Sequence, residues 1–130
     1  MTNFNCYPAV FLIVKIWYNV GTTRIIYGME VHEPQNPEAL NHFEQQHVPK
    51  IEVDFVGEII RVRVEIDNPM QPVHYLDWIE LYVDDEAYDK VEFEPEDQAI
   101  AEFDVAKDAK SLKAISNCHL HGAWQTKLTL

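Results

Sequence analysis

The chain has 130 residues, of which 47% are hydrophobic and 12% are aromatic, so it can bury one core and is too short for two domains to be expected. Its formal net charge is −12. Nucleic acids and anionic membranes are bound through basic surfaces, so neither is an expected partner. An anionic substrate would be repelled by this charge at long range and would need a locally positive surface around its binding site.

The two cysteines, Cys6 and Cys118, lie far apart and do not make a disulfide framework. We expect free thiols in a reducing compartment. No secretory signal is predicted, because residues 1–5 carry no positively charged side chain and Lys15 interrupts the apolar run. The run over residues 9–14 is too short to span a bilayer. These features predict a cytoplasmic protein.

Residues 1–28 differ in character from the rest of the chain. β-Branched and aromatic residues dominate positions 7–18, and a turn-like segment follows before residues 24–27, a pattern that predicts a β-hairpin. The alternative is that the natural protein begins at Met29 and that the preceding residues are an upstream extension. We therefore divide the chain into an N-terminal extension, 1–28, and a domain, 29–130.

The domain is expected to begin with a short helix and to continue as strands. Asn36-Pro37-Glu38 offers a cap, a proline at the first helical position and an acidic first turn, which predicts a helix over residues 37–46. From Lys50 onward the hydrophobic period is two, and in the strand after His74 it places Leu76 on the face opposite Ile79. The predicted strands lie near residues 51–56, 59–67, 74–84, 88–93, 99–105, 111–117 and 123–129. This spacing predicts an all-β fold, an immunoglobulin-like antiparallel β-sandwich with a short N-terminal helix.

Cysteine and histidine residues offer metal-binding chemistry. Cys118 and His121 are three residues apart beside Gly122, and a thiolate and an imidazole at that spacing can bind one metal if the backbone turns tightly. A lone Cys-x-x-His is weak evidence, since a buried cysteine is more often a small hydrophobe. His47, at a helix-to-loop junction, and His74, at a strand start, carry little information alone.

Taken together, these segments are more specific. The chain contains His47-Val48-Pro49, Pro69-Met70, His74-Tyr75, Trp78-Ile79-Glu80-Leu81 and Cys118-x-x-His121-Gly122-x-Trp124. Their order and spacing resemble the iron domain of the superoxide reductases, the desulfoferrodoxin and neelaredoxin family, over about residues 44–127. The resemblance implies a mononuclear non-haem iron site that reduces superoxide to hydrogen peroxide with one electron and two protons.

The resemblance also implies a ligand set. His47, His74 and His121 would be equatorial ligands, and Cys118 would be the axial thiolate that pushes electron density toward an open sixth position. The fourth equatorial histidine of the family is Asn68 here. Its amide oxygen could coordinate weakly, water could fill the place, or the site could become four-coordinate, which also suits zinc.

Further departures from the family lie near the same site. Gln45 and Gln46 stand where the family has glutamate and lysine, so Gln46 takes the catalytic position over the open site, opposite Cys118. Without that lysine, capture of superoxide is expected to weaken. His119 replaces an asparagine and is a substitute ligand in principle. Since Cys6 is the one cysteine of the N-terminal region, the four-cysteine iron centre of larger family members is not expected, and electrons would come from an external donor such as rubredoxin.

Two functions follow from these observations. The first is a superoxide reductase-like oxidoreductase. Because members of the family are commonly oligomeric, the resemblance also implies a homo-oligomer. The second is a catalytically weakened or inactive module on the same fold that binds iron or zinc or serves in interactions. The presence of Cys118 favours the first function, whereas Asn68, Gln45 and Gln46 favour the second.

Overall fold

The computed structural model describes residues 25–26 and 29–130. These residues belong to two units, Met1–His32 and Glu33–Leu130. Among the described residues, no helix combines the length and the apolar character that crossing a membrane requires.

In the first unit, two short strands pair in antiparallel fashion. They are β1 (Ile25–Ile26) and β2 (Met29–His32). The rest of the hairpin predicted within residues 1–28 lies outside the described residues. The domain boundary predicted at Met29 stays a prediction.

Residues 33–130, all of which are described, hold one helical turn and seven strands. No predicted strand boundary is displaced by more than two residues. In chain order the elements are α1 (His42–Gln45), β3 (Lys50–Val56), β4 (Ile59–Glu65), β5 (Leu76–Val83), β6 (Glu86–Glu92), β7 (Ile100–Ala106), β8 (Ser111–Cys118) and β9 (Gly122–Thr129).

The seven strands form the two layers of a sandwich. One layer has the order β9-β8-β5-β6 and the other β3-β4-β7, and neighbouring strands within each are antiparallel. Two packed antiparallel sheets of short strands make an immunoglobulin-like sandwich, so the predicted fold class is confirmed.

Alternation along the strands separates the core from the surface. Ile60, Val62 and Val64, alternate residues of β4, are fully buried, as a two-residue hydrophobic period requires. On the opposite face of the same strand, Arg61 lies across from Asp104 of β7, and the two side chains form an ion pair at 3.3 Å. The pair is exposed and therefore contributes little to stability, so burial of the apolar face determines the register.

The prediction for Leu76 is wrong, because this side chain is fully buried within the core cluster. Trp78 pairs with Asn117, but Leu76 pairs with Cys118, so β5 has one more residue than β8 at this point. Such a bulge reverses the expected alternation. It also brings the start of β5 beside the end of β8, where Cys118 lies.

The helix predicted over residues 37–46 is reduced to the single turn His42–Gln45. The Asn36 carbonyl instead accepts a hydrogen bond from the amide three residues later at 3.0 Å, which closes a separate turn. The actual cap is Asn41, whose side chain accepts from the Glu44 amide at 2.8 Å while the Glu44 carboxylate accepts from the Asn41 amide at 3.0 Å. This capping box outweighs the earlier Asn-Pro signal.

The β5–β6 hairpin turns through Asp84 and Asp85, whose φ angles are 50° and 70°. Two successive left-handed residues match the turn type that suits the twist of paired strands. The Asp84 carboxylate accepts hydrogen bonds from the amides of Lys110 and Ser111 at 2.9 and 3.0 Å. These bonds, that of Lys110 first, hold the pKa of Asp84 below its usual value.

We predict that Asp84→Ala lowers the melting temperature at neutral pH more than Asp85→Ala does. Both variants place alanine at a left-handed position, so the comparison isolates the two amide bonds. Because the pKa of Asp84 is depressed when the protein is folded, its stabilisation is present above the ordinary value of 3.8 and is lost as the pH falls through the lower, folded value. In thermal melts from about pH 7 to about pH 2.5, the melting temperatures of the two variants should therefore become equal as the pH falls. An equal loss in both variants at pH 7 would contradict the assignment.

Candidate metal centre

His47 lies just after α1 and is fully buried. Its Nδ1 lies 2.7 Å from the Phe43 carbonyl oxygen, and its own carbonyl accepts a hydrogen bond from the Ser116 hydroxyl at 2.9 Å. Because a carbonyl can only accept, the imidazole Nδ1–H is the donor in the first bond, and Nε2 of the neutral ring keeps its lone pair. The helical turn and strand β8 thus fix both the position and the tautomer of His47.

His74 closes a tight turn that precedes β5. The backbone amides and carbonyls of Gln71 and His74 exchange two hydrogen bonds of 2.9 Å, and Pro72 lies inside the turn, where its fixed φ is favourable. The turn directs the imidazole toward His47, so that the two Nε2 atoms are 3.2 Å apart.

Cys118 and His121 lie at the two sides of the β8–β9 hairpin. Cys118 pairs with Gly122, whose φ of +89° is the left-handed conformation that the sequence predicted a glycine to permit. The Cys118 side chain is 2% exposed, and its Sγ lies 3.7 Å from Nδ1 of His121. The same nitrogen lies 2.9 Å from Nε2 of His47.

The structure therefore brings one thiol and three imidazoles together. One donor atom from each of His47, His74, Cys118 and His121 lies within 4.8 Å of all the others. Metal bonds to nitrogen and sulfur of roughly 2.0–2.3 Å place donors at most about 4.6 Å apart across one ion. The separation of the four donor atoms is thus close to that of a mononuclear centre, and their coordination of a metal stays a prediction.

The surroundings of His47 and His74 favour the neutral form of these two imidazoles. Burial lowers the pKa of His47, the bond to the Phe43 carbonyl opposes this, and His121 and His74 lower it further. Burial also lowers the pKa of His74, with a smaller contribution from His121. Since only a neutral imidazole offers a lone pair to a metal, the unloaded protein already holds these two rings in the binding form.

A family model described as desulfoferrodoxin matches residues 39–127, which is more than half of the chain. The chain belongs to the desulfoferrodoxin family. The match begins just before α1 and ends within β9, so it contains all four donor side chains.

Similar proteins support this assignment. A desulfoferrodoxin homolog of Archaeoglobus fulgidus is 37% identical over 84 residues, which are 64% of this chain and 63% of that protein, so the chain spans less than two thirds of that relative. A superoxide reductase of Pyrococcus horikoshii is 35% identical over 102 residues, covering 66% of this chain and 88% of that one. The solved superoxide reductase (neelaredoxin) from Ignicoccus hospitalis has a TM-score of 0.64 at 27% identity, covering 77% of this chain and 93% of that chain.

An aromatic side chain that sequence analysis missed packs against this desulfoferrodoxin site. The ring of Phe43 lies 4.4 Å from that of His47, 5.0 Å from His121 and 5.9 Å from Trp124, measured between centroids. A helical turn brings residues four apart together, so the spacing of Phe43 and His47 was the available signal. Ser116, which holds the His47 backbone, was missed as well and carries no distinctive pattern.

Asn68 stands at the position where the family resemblance places a histidine. Its side-chain nitrogen donates to the Gln46 carbonyl at 3.0 Å, and its side-chain oxygen accepts from the Met70 amide at 3.0 Å. Both ends of the carboxamide therefore bond to backbone. Coordination by Asn68 stays a prediction.

The other departures from the family pattern contact neighbouring side chains. Nε2 of Gln46 lies 3.4 Å from Nε2 of His42, one turn earlier in α1. His119 stacks on the Tyr75 ring with a centroid distance of 4.7 Å, and its Nδ1 lies 3.4 Å from the Asp77 carboxylate. The His119 side chain therefore contacts Tyr75 and Asp77 and is not one of the four clustered donors in this structure.

We predict that His74→Ala lowers the affinity for divalent metal at least about 100-fold, because loss of even an outer partner of a ligand costs roughly 10–100-fold. His119→Ala is the matched control and should change the affinity less than about threefold, since its side chain contacts Tyr75 and Asp77 and is not an outer partner of any of the four donor side chains. Titration with cobalt against a chelator of known affinity measures both values. A large loss in the His119 variant would make that residue a ligand.

Proposed function

We propose that this chain is a superoxide reductase-like oxidoreductase with a mononuclear non-haem iron held by His47, His74, Cys118 and His121. The observation that supports the proposal is the convergence of these four donor atoms within 4.8 Å. The relatives named superoxide reductase support it as well. Ferrous iron bound here would supply the single electron that, with two protons, converts superoxide to hydrogen peroxide.

The protein's own contribution is to place the donors and to control access. Cys118 and His47 are buried, whereas His121 is exposed, so the site is anchored in the core and open on one side. A thiolate donates electron density to a bound metal, and the apolar core around Cys118 keeps water away from its sulfur. The electron consumed in each turnover must be replaced by a separate one-electron carrier, and the resemblance implies rubredoxin.

A second candidate function is binding of zinc or iron without turnover. It is favoured by the contacts of Gln46, whose side chain approaches His42 and supplies no cation over the open side of the site. Three imidazoles and one thiolate are also four nitrogen and sulfur donors, the ligand types and number that suit tetrahedral zinc.

Anaerobic reconstitution with ferrous iron, followed by mild oxidation, distinguishes these functions. We expect a strong thiolate-to-iron absorption band and consumption of superoxide, and we expect Cys118→Ser to abolish both. Cys6→Ser is the matched control, because it removes the other cysteine of the chain and should retain both signals. A band without superoxide consumption would support the binding module, and a band that persists in the Cys118 variant would disprove the axial ligand.

We predict that Gln46→Lys raises the rate of superoxide consumption about threefold at low ionic strength, because a cation beside the open site attracts an anionic substrate. Gln45→Lys is the control of equal charge, since its side chain is exposed and bonds to the Leu40 carbonyl at 3.2 Å. The advantage should shrink as salt is added and screens the charge. Equal acceleration by both variants would indicate a general effect of net charge.

A further inference from the structure

The carboxamide of Asn68 joins two segments that carry separate donors. Gln46, whose carbonyl accepts from the Asn68 side chain at 3.0 Å, immediately precedes His47. On its other side, Asn68 accepts from the Met70 amide at 3.0 Å, in the loop that leads to His74. The residue is partly buried, which strengthens both bonds relative to bonds in water.

We infer that Asn68 is a positioning residue: it ties the His47 segment to the His74 loop by hydrogen bonds and is not a fifth ligand. The inference rests on the four-donor centre of the proposed function. In a site with a histidine at this position, the metal itself would join the two segments. Here the protein makes the connection without it.

The remainder of the loop continues this connection. Met70 has a φ of 52°, an uncommon conformation for a residue with a side chain, and it is 7% exposed. Its Sδ accepts from the Leu76 amide at 3.4 Å, which holds the loop against the first residue of β5. The chain of contacts therefore runs from Gln46 through Asn68 and Met70 to the base of the strand that follows His74.

Coordination by Asn68 and positioning by Asn68 predict opposite effects of Asn68→Asp on the metal affinity. A carboxylate is a stronger metal ligand than an amide, so Asn68→Asp should raise the metal affinity if this residue coordinates. If it positions the loop, aspartate retains the bond from the Met70 amide but cannot donate to the Gln46 carbonyl, and two oxygens then face each other. The affinity should then fall.

The experiment uses the full chain loaded with cobalt, whose visible bands are strong in four-coordinate sites and weak in sites of higher coordination. We expect Asn68→Asp and Asn68→Ala each to lower the cobalt affinity about tenfold, as removal of other outer partners does. The bands of the loaded protein should stay strong in both variants. Asn36→Ala is the control, because Asn36 makes a comparable side-chain bond to the amide two residues later, at 3.1 Å, in a separate exposed turn.

A second measurement uses the metal-free protein. The hydrogen bonds of Asn68 exist without metal, so Asn68→Ala should lower the melting temperature of the metal-free chain, whereas loss of a ligand would leave that temperature unchanged. A rise in cobalt affinity with weaker bands in Asn68→Asp would overturn the inference. These readouts involve no superoxide, so failure of the proposed reaction and failure of the positioning role give different results.

Discussion

The centre depends on a single constraint, the burial of the His47 imidazole. A buried polar ring is stable only when its nitrogens have partners, and here Nδ1 is bonded to the Phe43 carbonyl at 2.7 Å while Nε2 lies among the other donors. The Ser116 hydroxyl fixes the backbone of the same residue to β8. Because these partners come from α1 and from the sandwich, the helical turn can dock in one position only.

The sandwich contributes a rigid frame from which short segments present the donors. Cys118 is the last residue of β8, His121 lies in the hairpin after it, and His74 lies in the turn before β5. Strands β5 and β8 are neighbours in one sheet, and the bulge at Asp77 aligns Leu76 with Cys118. Hence the pairing that buries the core also determines the separation of the thiol and the imidazoles.

The sequence predicted the strands well because a half-buried strand has a two-residue period that needs no tertiary information. The four donors were predicted from the resemblance to the superoxide reductase family, which their motifs carry together. Two predictions were wrong. The helix starts later than predicted because the capping box at Asn41 competes with the earlier Asn-Pro signal. Leu76 faces the core because a bulge, which depends on pairing with a strand distant in sequence, reverses the alternation of β5. The contacts of Asn68 could not be predicted either, since a carboxamide has no fixed partner until the fold brings one within reach.

The net negative charge of the chain opposes the approach of an anion to the candidate metal centre. Two lysines of β8 and β9 contact other side chains: Lys113 lies over the Tyr82 ring at 4.7 Å, and Lys127 pairs with Glu33 at 3.6 Å. Long-range repulsion from a net charge of −12 is screened within roughly 10 Å at ordinary salt. A divalent cation held by one thiolate and neutral imidazoles would carry a charge of about +1, which would attract an anion at short range. That charge requires imidazoles that bind as neutral rings, and burial, the largest influence on the pKa of His47, favours the neutral form of that ring.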